Sequence, residues 1–391
     1  MPTDPTVFIL FQVGLLIVVA SLCSGLFRKL KLPSVIGAIL VGLFIGGPGG
    51  LGLVRDVTVI NVLASLGVIL ILFTTGLEFD AASFLKVGKT AFLITTTGVI
   101  LSILLGYGIG LALGFSWQAS LLLGAVLAPS GTSVIAAMLS YEGIVETKIG
   151  ATLLTACVLD DIESILLLTI VLSALGMGTI SAINALSIGV VATLFILVSI
   201  YVGSKILPFV IKKLQGLVSD EVLFITLLGL GLMLAFAATL FGLSAITGAF
   251  IMGAIIPYPR IGEKLAEKIS MMKELFAAIF FTSIGLAINP GSMLIFLPAG
   301  LIILGIALLA RMTGGLIGGR LAGFKGKTLW AITAGLAVRA EMSFIIAYEG
   351  VAMGILAADF LTLTAIAVIG SMIVIIPLFS KLIKNNQDLE K

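Results

Sequence analysis

The chain has 391 residues, of which 60% are hydrophobic and only 10% are charged, and its mean hydropathy is +1.30. Soluble proteins carry about 25% charged residues, so this composition excludes a soluble globular domain. The net charge of +3 does not indicate a nucleic-acid partner, because the basic residues lie in short connections between apolar segments rather than in one patch.

Long apolar segments recur from one end of the chain to the other, and most are long enough to cross a bilayer as helices. The pattern therefore predicts an all-α polytopic membrane protein with about 13 transmembrane helices. The second and the ninth segments are short for a full span. The predicted segments are 7–27, 34–47, 57–77, 90–114, 117–139, 147–173, 179–204, 221–240, 243–257, 270–288, 294–321, 328–353 and 359–382.

The distribution of basic residues predicts the orientation in the membrane. Lys and Arg are concentrated in cytoplasmic loops of membrane proteins. If the N-terminus is outside, Arg55 is the only basic residue assigned to an outside connection. We therefore expect a protein of the cell (plasma or inner) membrane with its N-terminus outside and its C-terminus in the cytoplasm. The residues assigned to the inside are Arg28, Lys29, Lys31, Lys86, Lys89, Lys148, Lys205, Lys212, Lys213, Arg260, Lys264, Lys268, Arg320, Lys325, Lys327, Lys381, Lys384 and Lys391.

The two halves of the sequence resemble each other. Residues 32–42 (LPSVIGAILVG) are similar to residues 243–253 (LSAITGAFIMG), and residues 72–77 (LFTTGL) are similar to residues 280–286 (FFTSIGL). Both pairs are separated by about 210 residues along the chain. Chance likeness among helices rich in Gly, Ala and Ile is the alternative. Equal offsets favour two inverted six-helix repeats joined by a linking helix, which is an architecture of secondary transporters.

The same offset pairs the fifth segment with the twelfth, and it places Thr132 opposite Glu341 and Ser130 opposite Arg339. Both segments carry polar residues near their middle, and the fifth contains a proline and a glycine that interrupt helical hydrogen bonding. An ordinary kink is the alternative for the fifth segment alone. Interruptions at matching positions of two repeats favour crossed broken helices at mid-membrane and a binding site between them.

Carboxylates in the middle of the sixth segment are the strongest functional signal. Asp160 and Asp161 point about 100° apart on a helix, so they face different neighbours. Arg311, deep in the eleventh segment, is the expected charge partner of one aspartate, because a buried guanidinium stays protonated. A static packing clamp is the alternative for such a pair. Glu163 is expected either to pair with Arg339 or to face the cavity.

The oxygen-rich composition of this region indicates the kind of solute. Carboxylates, the hydroxyls of Thr132 and Ser133, and freed main-chain carbonyls form a hard, anionic site that suits small hard cations. Two neighbouring carboxylates can also bind protons. A site that holds either Na⁺ or H⁺, but not both, is the minimum requirement for exchange.

The paired aspartates, the Thr-Ser pair at a broken helix, the basic residue of the eleventh segment and the Arg-Ala-Glu of the twelfth resemble the monovalent cation–proton antiporter superfamily. The likeness is greatest to Nap-type Na⁺/H⁺ antiporters of its two-aspartate branch. The resemblance implies that Asp161 is the main Na⁺ ligand, that Asp160 pairs with Arg311, and that Thr132 and Ser133 line the crossing of the broken helices. Arg311 itself differs from the family pattern, which often has Lys there.

The resemblance also implies a homodimer and an elevator-like motion within a single transmembrane exchanger domain. The dimer bundle would comprise about 1–80 and 219–290, the core transport bundle about 88–175 and 292–384, and the linking helix about 178–205.

We therefore expect a Na⁺/H⁺ antiporter that also accepts Li⁺, that is not an enzyme and that needs no cofactor. A K⁺/H⁺ antiporter of the same fold remains an alternative, because selectivity depends on cavity geometry. A cation channel is a further alternative, although no pore loop is apparent. A Na⁺-coupled symporter would need groups specific for an organic solute, and the sequence offers none.

Overall fold

The computed structural model describes residues 5–29, 33–46, 50–54, 57–77, 81–145, 147–176, 182–215, 217–241, 243–256, 263–288 and 290–384. Of the basic residues that predict the orientation, Lys31, Arg55, Arg260 and Lys391 lie outside the described residues.

The described ranges form helices joined by short connections. In chain order these are α1 (Pro5–Lys29), α2 (Ser34–Ile45), α3 (Thr58–Leu77), α4 (Ala81–Ala112), α5 (Trp117–Val126), α6 (Thr132–Glu142), α7 (Lys148–Gly176), α8 (Ala182–Gln215), α9 (Asp220–Leu240), α10 (Ala245–Ile255), α11 (Glu263–Ala287), α12 (Pro290–Leu321), α13 (Gly326–Leu336), α14 (Glu341–Ala352) and α15 (Asp359–Lys384). Each predicted segment coincides with one helix, except that the fifth and the twelfth are each divided into two.

The all-α membrane architecture is confirmed. Within the described residues, eight helical stretches are long and apolar enough to cross a bilayer, and three shorter apolar helices accompany them. The number of 13 transmembrane helices stays a prediction.

Helix lengths repeat between the two halves of the chain. The order α1–α7 matches the order α9–α15, with α8 between them. The long helices α4 and α12 have 32 residues each. The pair α5 and α6 has 10 and 11 residues, and the pair α13 and α14 has 11 and 12. The break in the chain thus falls at the same place in both halves.

Matched glycines make matched contacts, which is independent support for the repeat. A Cβ atom on Gly285 would lie 2.9 Å from the Cα of Gly42, and a Cβ atom on Gly253 would lie 3.0 Å from the Cα of Gly76. Gly42 and Gly253 occupy the same position in the two similar stretches, as do Gly76 and Gly285. Each short helix therefore packs its backbone against the end of the longer helix of the opposite half.

The chain forms two compact units. One comprises Met1–Leu22, Val54–Asp80 and Leu168–Ser283, and the other comprises Cys23–Leu53, Ala81–Leu167 and Ile284–Lys391. Both broken helices, both aspartates of α7 and the packed pair α4 and α12 belong to the second unit. The division into a dimer bundle and a core transport bundle stays a prediction.

Local sequence explains how the first broken helix begins and ends. Ser116 caps the start of α5 by accepting a hydrogen bond from the backbone N–H of Ala119 at 3.2 Å. Pro129 follows the end of α5 and has no N–H to continue the helix. Gly143 ends α6 in the left-handed conformation, with φ of 69°, which favours glycine.

Candidate ion-binding site

The two helix breaks touch each other. The backbone N–H of Gly131, in the first break, donates a hydrogen bond to the carbonyl of Val338, in the second, at 2.9 Å. A Cβ atom on Gly131 would lie 2.7 Å from the Cβ of Ala340, so only glycine permits this approach. The backbone of each break is thereby held against the other, and the helix ends meet in one place.

Asp160 and Arg311 form a buried ion pair. The guanidinium Nη2 of Arg311 contacts Oδ2 of Asp160, and both side chains are at most 1% exposed. Ser130 in the first break donates its hydroxyl to the same oxygen at 2.5 Å. Within the described part of the chain, Oδ1 of Asp160 has no hydrogen-bond partner. Thus Asp160 has its charge neutralised while one of its oxygens stays available.

Arg311 is held by main-chain groups as well as by Asp160. Its Nε donates to the carbonyl of Leu336 at 3.3 Å, at the end of α13, and its Nη1 points at the carbonyl of Thr95 on α4 at 3.5 Å. Three elements, α4, α7 and α13, therefore fix the position of one guanidinium. The structure thus contains the pair of Asp160 and Arg311 that is expected from the depth of both residues in their helices.

Asp161 contacts the first residue of α6. The hydroxyl of Thr132 donates to Oδ2 of Asp161 at 3.0 Å, and Asp161 is 3% exposed. Because successive helical residues point about 100° apart, Asp161 faces this break while Asp160 faces Arg311. The structure thus brings a buried carboxylate, a hydroxyl and a helix break together.

Ser133 lies near Glu341 rather than Asp161. Its hydroxyl donates to Oε2 of Glu341 at 2.7 Å, and its backbone N–H donates to Oε1 at 3.1 Å. Ser133 is exposed, Glu341 and Thr132 are half-buried, and Asp161 is buried. Polar oxygens therefore continue from the surface to the buried aspartate along consecutive residues of α6.

Arg339, which lies in the second break, binds the backbone of the first break. Its Nη1 donates to the carbonyl of Pro129 at 2.9 Å, its Nη2 donates to the carbonyl of Ala307 on α12 at 3.2 Å, and its side chain is fully buried. Its backbone N–H donates to the hydroxyl of Ser371 at 2.9 Å. Arg339 thus donates to a carbonyl at the first break, where the helical hydrogen-bond ladder is interrupted, and links that break to α12.

Glu163 does not pair with Arg339. Of the two placements expected for Glu163, this pairing is wrong. Its Oε1 accepts hydroxyl hydrogen bonds from Thr95 at 3.1 Å and from Thr96 at 2.6 Å, both on α4. The reason is geometric: Glu163 lies nearly one turn beyond Asp160 and faces α4, whereas Arg339 is occupied by two carbonyls.

The charged side chains balance the ends of the broken helices. Two N-termini, those of α6 and α14, carry about half a positive charge each, and two C-termini carry the opposite charge. The carboxylate of Glu341 accepts from the N-terminus of α6, while Arg339 and Arg311 donate to carbonyls at the breaks. Arg311 neutralises Asp160, so its ion pair involves that aspartate and not Asp161.

Sequence reasoning missed the contribution of α4. Thr95 and Thr96 bind Glu163, the carbonyl of Thr95 faces Arg311, and Thr97 donates to the carbonyl of Gly314 at 2.8 Å. The run of three threonines inside an apolar span was the available signal. It is weak, since a helical threonine commonly bonds to a carbonyl of its own preceding turn.

Comparison with known proteins identifies the family of this chain. The transmembrane sodium/hydrogen exchanger family matches residues 15–381. The chain is 30% identical over 353 residues to the probable Na⁺/H⁺ antiporter GerT of Bacillus cereus, covering 89% of this chain and 92% of that protein. It is also 30% identical over 363 residues to the Na⁺/H⁺-K⁺ antiporter GerN of the same species, covering 92% of each.

A solved structure has the same fold. The sodium proton antiporter MjNhaP1 from Methanocaldococcus jannaschii superimposes with a TM-score of 0.78 at 20% identity, covering 96% of this chain and 98% of that one. This likeness shows the fold, and the family match together with the two relatives confirms the resemblance to the monovalent cation–proton antiporter superfamily. The chain belongs to the transmembrane sodium/hydrogen exchanger family, a family of antiporters.

Proposed function

We propose that this antiporter exchanges Na⁺, or Li⁺, for H⁺ by alternating access, with the cation and the proton competing for Asp161. The observation that carries the proposal is the position of Asp161: it is 3% exposed and contacts Thr132 where the two helix breaks meet. A carboxylate there can release a proton when a cation arrives, and it can release the cation when a proton returns.

The ligands available around Asp161 favour a hard monovalent cation. The hydroxyl of Thr132 is one, and main-chain carbonyls of the break would supply others. Ser133 and Glu341 would guide the cation in from the exposed side, with Ser133 joining the ligands once its hydroxyl turns from Glu341. Oxygen ligands without sulfur or nitrogen suit Na⁺ and Li⁺.

The charge arrangement supports exchange of one Na⁺ for one H⁺. Because Asp160 is paired with Arg311, the exchanging charge is that of Asp161 alone. The site then has the same net charge with either ion bound. Arg311 supports this scheme better than a lysine would, since a buried lysine can give up its proton and an arginine cannot.

The remaining features of the proposal rest on the distribution of basic residues and on the resemblance to the superfamily. The protein works in the cell membrane as a homodimer, with its N-terminus outside and its C-terminus in the cytoplasm. The unit that contains the broken helices carries the ion, and the process uses no cofactor.

Exchange of K⁺ for H⁺ is the second candidate. The printed name of GerN includes K⁺, and GerN is 30% identical to this chain. Selectivity between Na⁺ and K⁺ depends on how closely the oxygens around Asp161 can approach the ion, so the two functions share one site.

Cation-dependent proton movement in proteoliposomes tests the proposal. Purified protein is reconstituted with a pH-sensitive dye inside the vesicles, and Na⁺, Li⁺ and K⁺ are added separately to the outside. We expect proton efflux with Na⁺ and Li⁺ and none in vesicles with Asp161→Asn. A response to K⁺ alone would establish the second candidate, whereas cation flux without proton flux would indicate a channel and overturn both.

A further inference from the structure

The guanidinium of Arg311 lies directly on the backbone of α4 at Gly98. A Cβ atom on Gly98 would be 2.6 Å from Nη1 of Arg311, 3.0 Å from its Cζ and 3.1 Å from its Cδ. Real Cβ atoms essentially never approach another heavy atom to within 3.0 Å. The absence of a side chain at Gly98 therefore creates the space that the guanidinium occupies.

Neither α4 nor α12 can easily move to make room for a side chain at Gly98. A Cβ atom on Gly314 of α12 would lie 2.5 Å from the Cα of Gly98, and one on Gly318 would lie 2.2 Å from the carbonyl oxygen of Leu93. The hydroxyl of Thr97 also bridges α4 to the carbonyl of Gly314 at 2.8 Å. Since the two backbones are in contact, a methyl group at Gly98 would displace the side chain of Arg311 and not the helices.

We infer that Gly98 is a positioning residue for Arg311. By leaving the surface of α4 open, it lets the guanidinium reach the carbonyl of Thr95 with Nη1 and Asp160 with Nη2 at the same time. The consequence for transport rests on the proposed function, because Arg311 sets the charge of the exchange site through Asp160.

The requirement for glycine is strictest when residue 311 is arginine. A lysine at position 311 would have no atom equivalent to Nη1, which is the atom closest to the missing Cβ of Gly98. Its ammonium is a compact charge on a flexible stem and needs no flat surface. Gly98→Ala should therefore be better tolerated once Arg311 has been replaced by Lys.

Alanine substitutions in α4 separate this role from ordinary helix packing. Gly98→Ala places a methyl group against Arg311. Gly106→Ala meets the backbone of α5, 2.6 Å from the Cα of Gly124, and Gly108→Ala meets nothing within 4 Å. The three variants make the same chemical change on one helix, so Gly106→Ala controls for tight packing and Gly108→Ala controls for helix propensity.

The decisive experiment is a double-mutant cycle of Gly98→Ala and Arg311→Lys, read first by thermal unfolding of the full-length protein in detergent. We expect Gly98→Ala to lower the Tm, and to lower it by about half as much or less when Arg311 has been replaced by Lys. Equal Tm losses in both backgrounds would overturn the inference. This measurement does not require transport, so it stands even if the protein proves not to exchange Na⁺.

Transport by the same variants gives the second readout. In proteoliposomes, we expect Gly98→Ala to reduce the maximum rate of Na⁺-dependent proton efflux by about tenfold or more, because small displacements of a charged group in a site have effects of this size. Gly108→Ala should stay within about twofold of wild type. We expect Gly98→Ala to have a much smaller effect on the rate of a protein that already carries Arg311→Lys. A Gly98→Ala rate no lower than that of Gly106→Ala, at equal amounts of folded protein, would contradict the positioning role.

Discussion

Replacement of Thr132 by valine tests whether the first break supplies a ligand to the ion. Valine keeps the branched shape of threonine and exchanges only the hydroxyl for a methyl group. In the structure this hydroxyl donates to Oδ2 of Asp161 at 3.0 Å, and Asp161 is 3% exposed. The substitution therefore removes one oxygen from the site and leaves the backbone of the break unchanged.

The size of the effect can be worked out from the two states of the site. A hydrogen bond to a charged group contributes about 1.5–3 kcal/mol. In the empty site the hydroxyl of Thr132 donates to Asp161. In the proposed loaded site its oxygen would ligate the cation, so part of the loss is common to both states. The remaining difference of about 1–2 kcal/mol corresponds to Na⁺ affinity that is weaker by about 5–30-fold.

The assay is the half-saturating Na⁺ concentration for proton efflux from proteoliposomes. Thr132→Ser is the matched control, because it keeps the hydroxyl and removes only the methyl group. We expect its half-saturating Na⁺ concentration to be close to that of wild type. Ser133→Ala should have a smaller effect, since the hydroxyl of Ser133 binds Glu341 and not Asp161. The reasoning is refuted if Thr132→Val has the half-saturating concentration of wild type.

Three further outcomes are expected. Asp161→Asn should abolish Na⁺-dependent proton transport in a protein that still elutes as a folded species, because an amide neither titrates nor carries charge; exchange near the wild-type rate would remove Asp161 from the mechanism. Arg339→Met removes the guanidinium donor of the Pro129 carbonyl, at about 1–3 kcal/mol, and also the link to Ala307 on α12, so its thermal unfolding midpoint should fall well below that of the exposed-site control Arg320→Met. With Asp160 paired to Arg311, a Na⁺ jump at symmetric pH should produce no sustained current on a solid-supported membrane, and a sustained current would show that Asp160 titrates.

The elements of this fold are readable from the sequence because a bilayer imposes a minimum length and apolarity on each span. The short second and ninth segments appear as α2 and α10, and the polar interruptions at Pro129 and Arg339 appear as helix breaks. The exact ends are less readable. Helix α11 begins at Glu263, seven residues before the predicted segment, since charged residues extend a helix beyond its apolar part without any hydropathy signal.

The candidate site is only partly readable, and the distinction is physical. The pairing of Asp160 with Arg311 follows from the high free energy of an isolated buried charge, which requires a partner at similar depth. The partners of Glu163 could not be deduced in this way, because a carboxyl group can be satisfied by neutral hydroxyls anywhere on neighbouring helices. The role of Gly98 could not be predicted from the sequence either, because its contact with Arg311 becomes apparent only when α4 and α12 are packed together.

The repeat explains why the two breaks perform different tasks although they occupy equivalent positions. Ser130 corresponds to Arg339, and Thr132 corresponds to Glu341. The charged pair of the second half serves the first break, where Arg339 binds the carbonyl of Pro129 and Glu341 accepts from the start of α6. The small hydroxyls of the first half are thereby released from satisfying helix ends. Ser130 instead donates to Asp160, and Thr132 donates to the other aspartate of the pair. An exact repeat with charges in both breaks would place those charges against the aspartates, so the asymmetry between the halves leaves room for the proposed exchange at one of the two carboxylates.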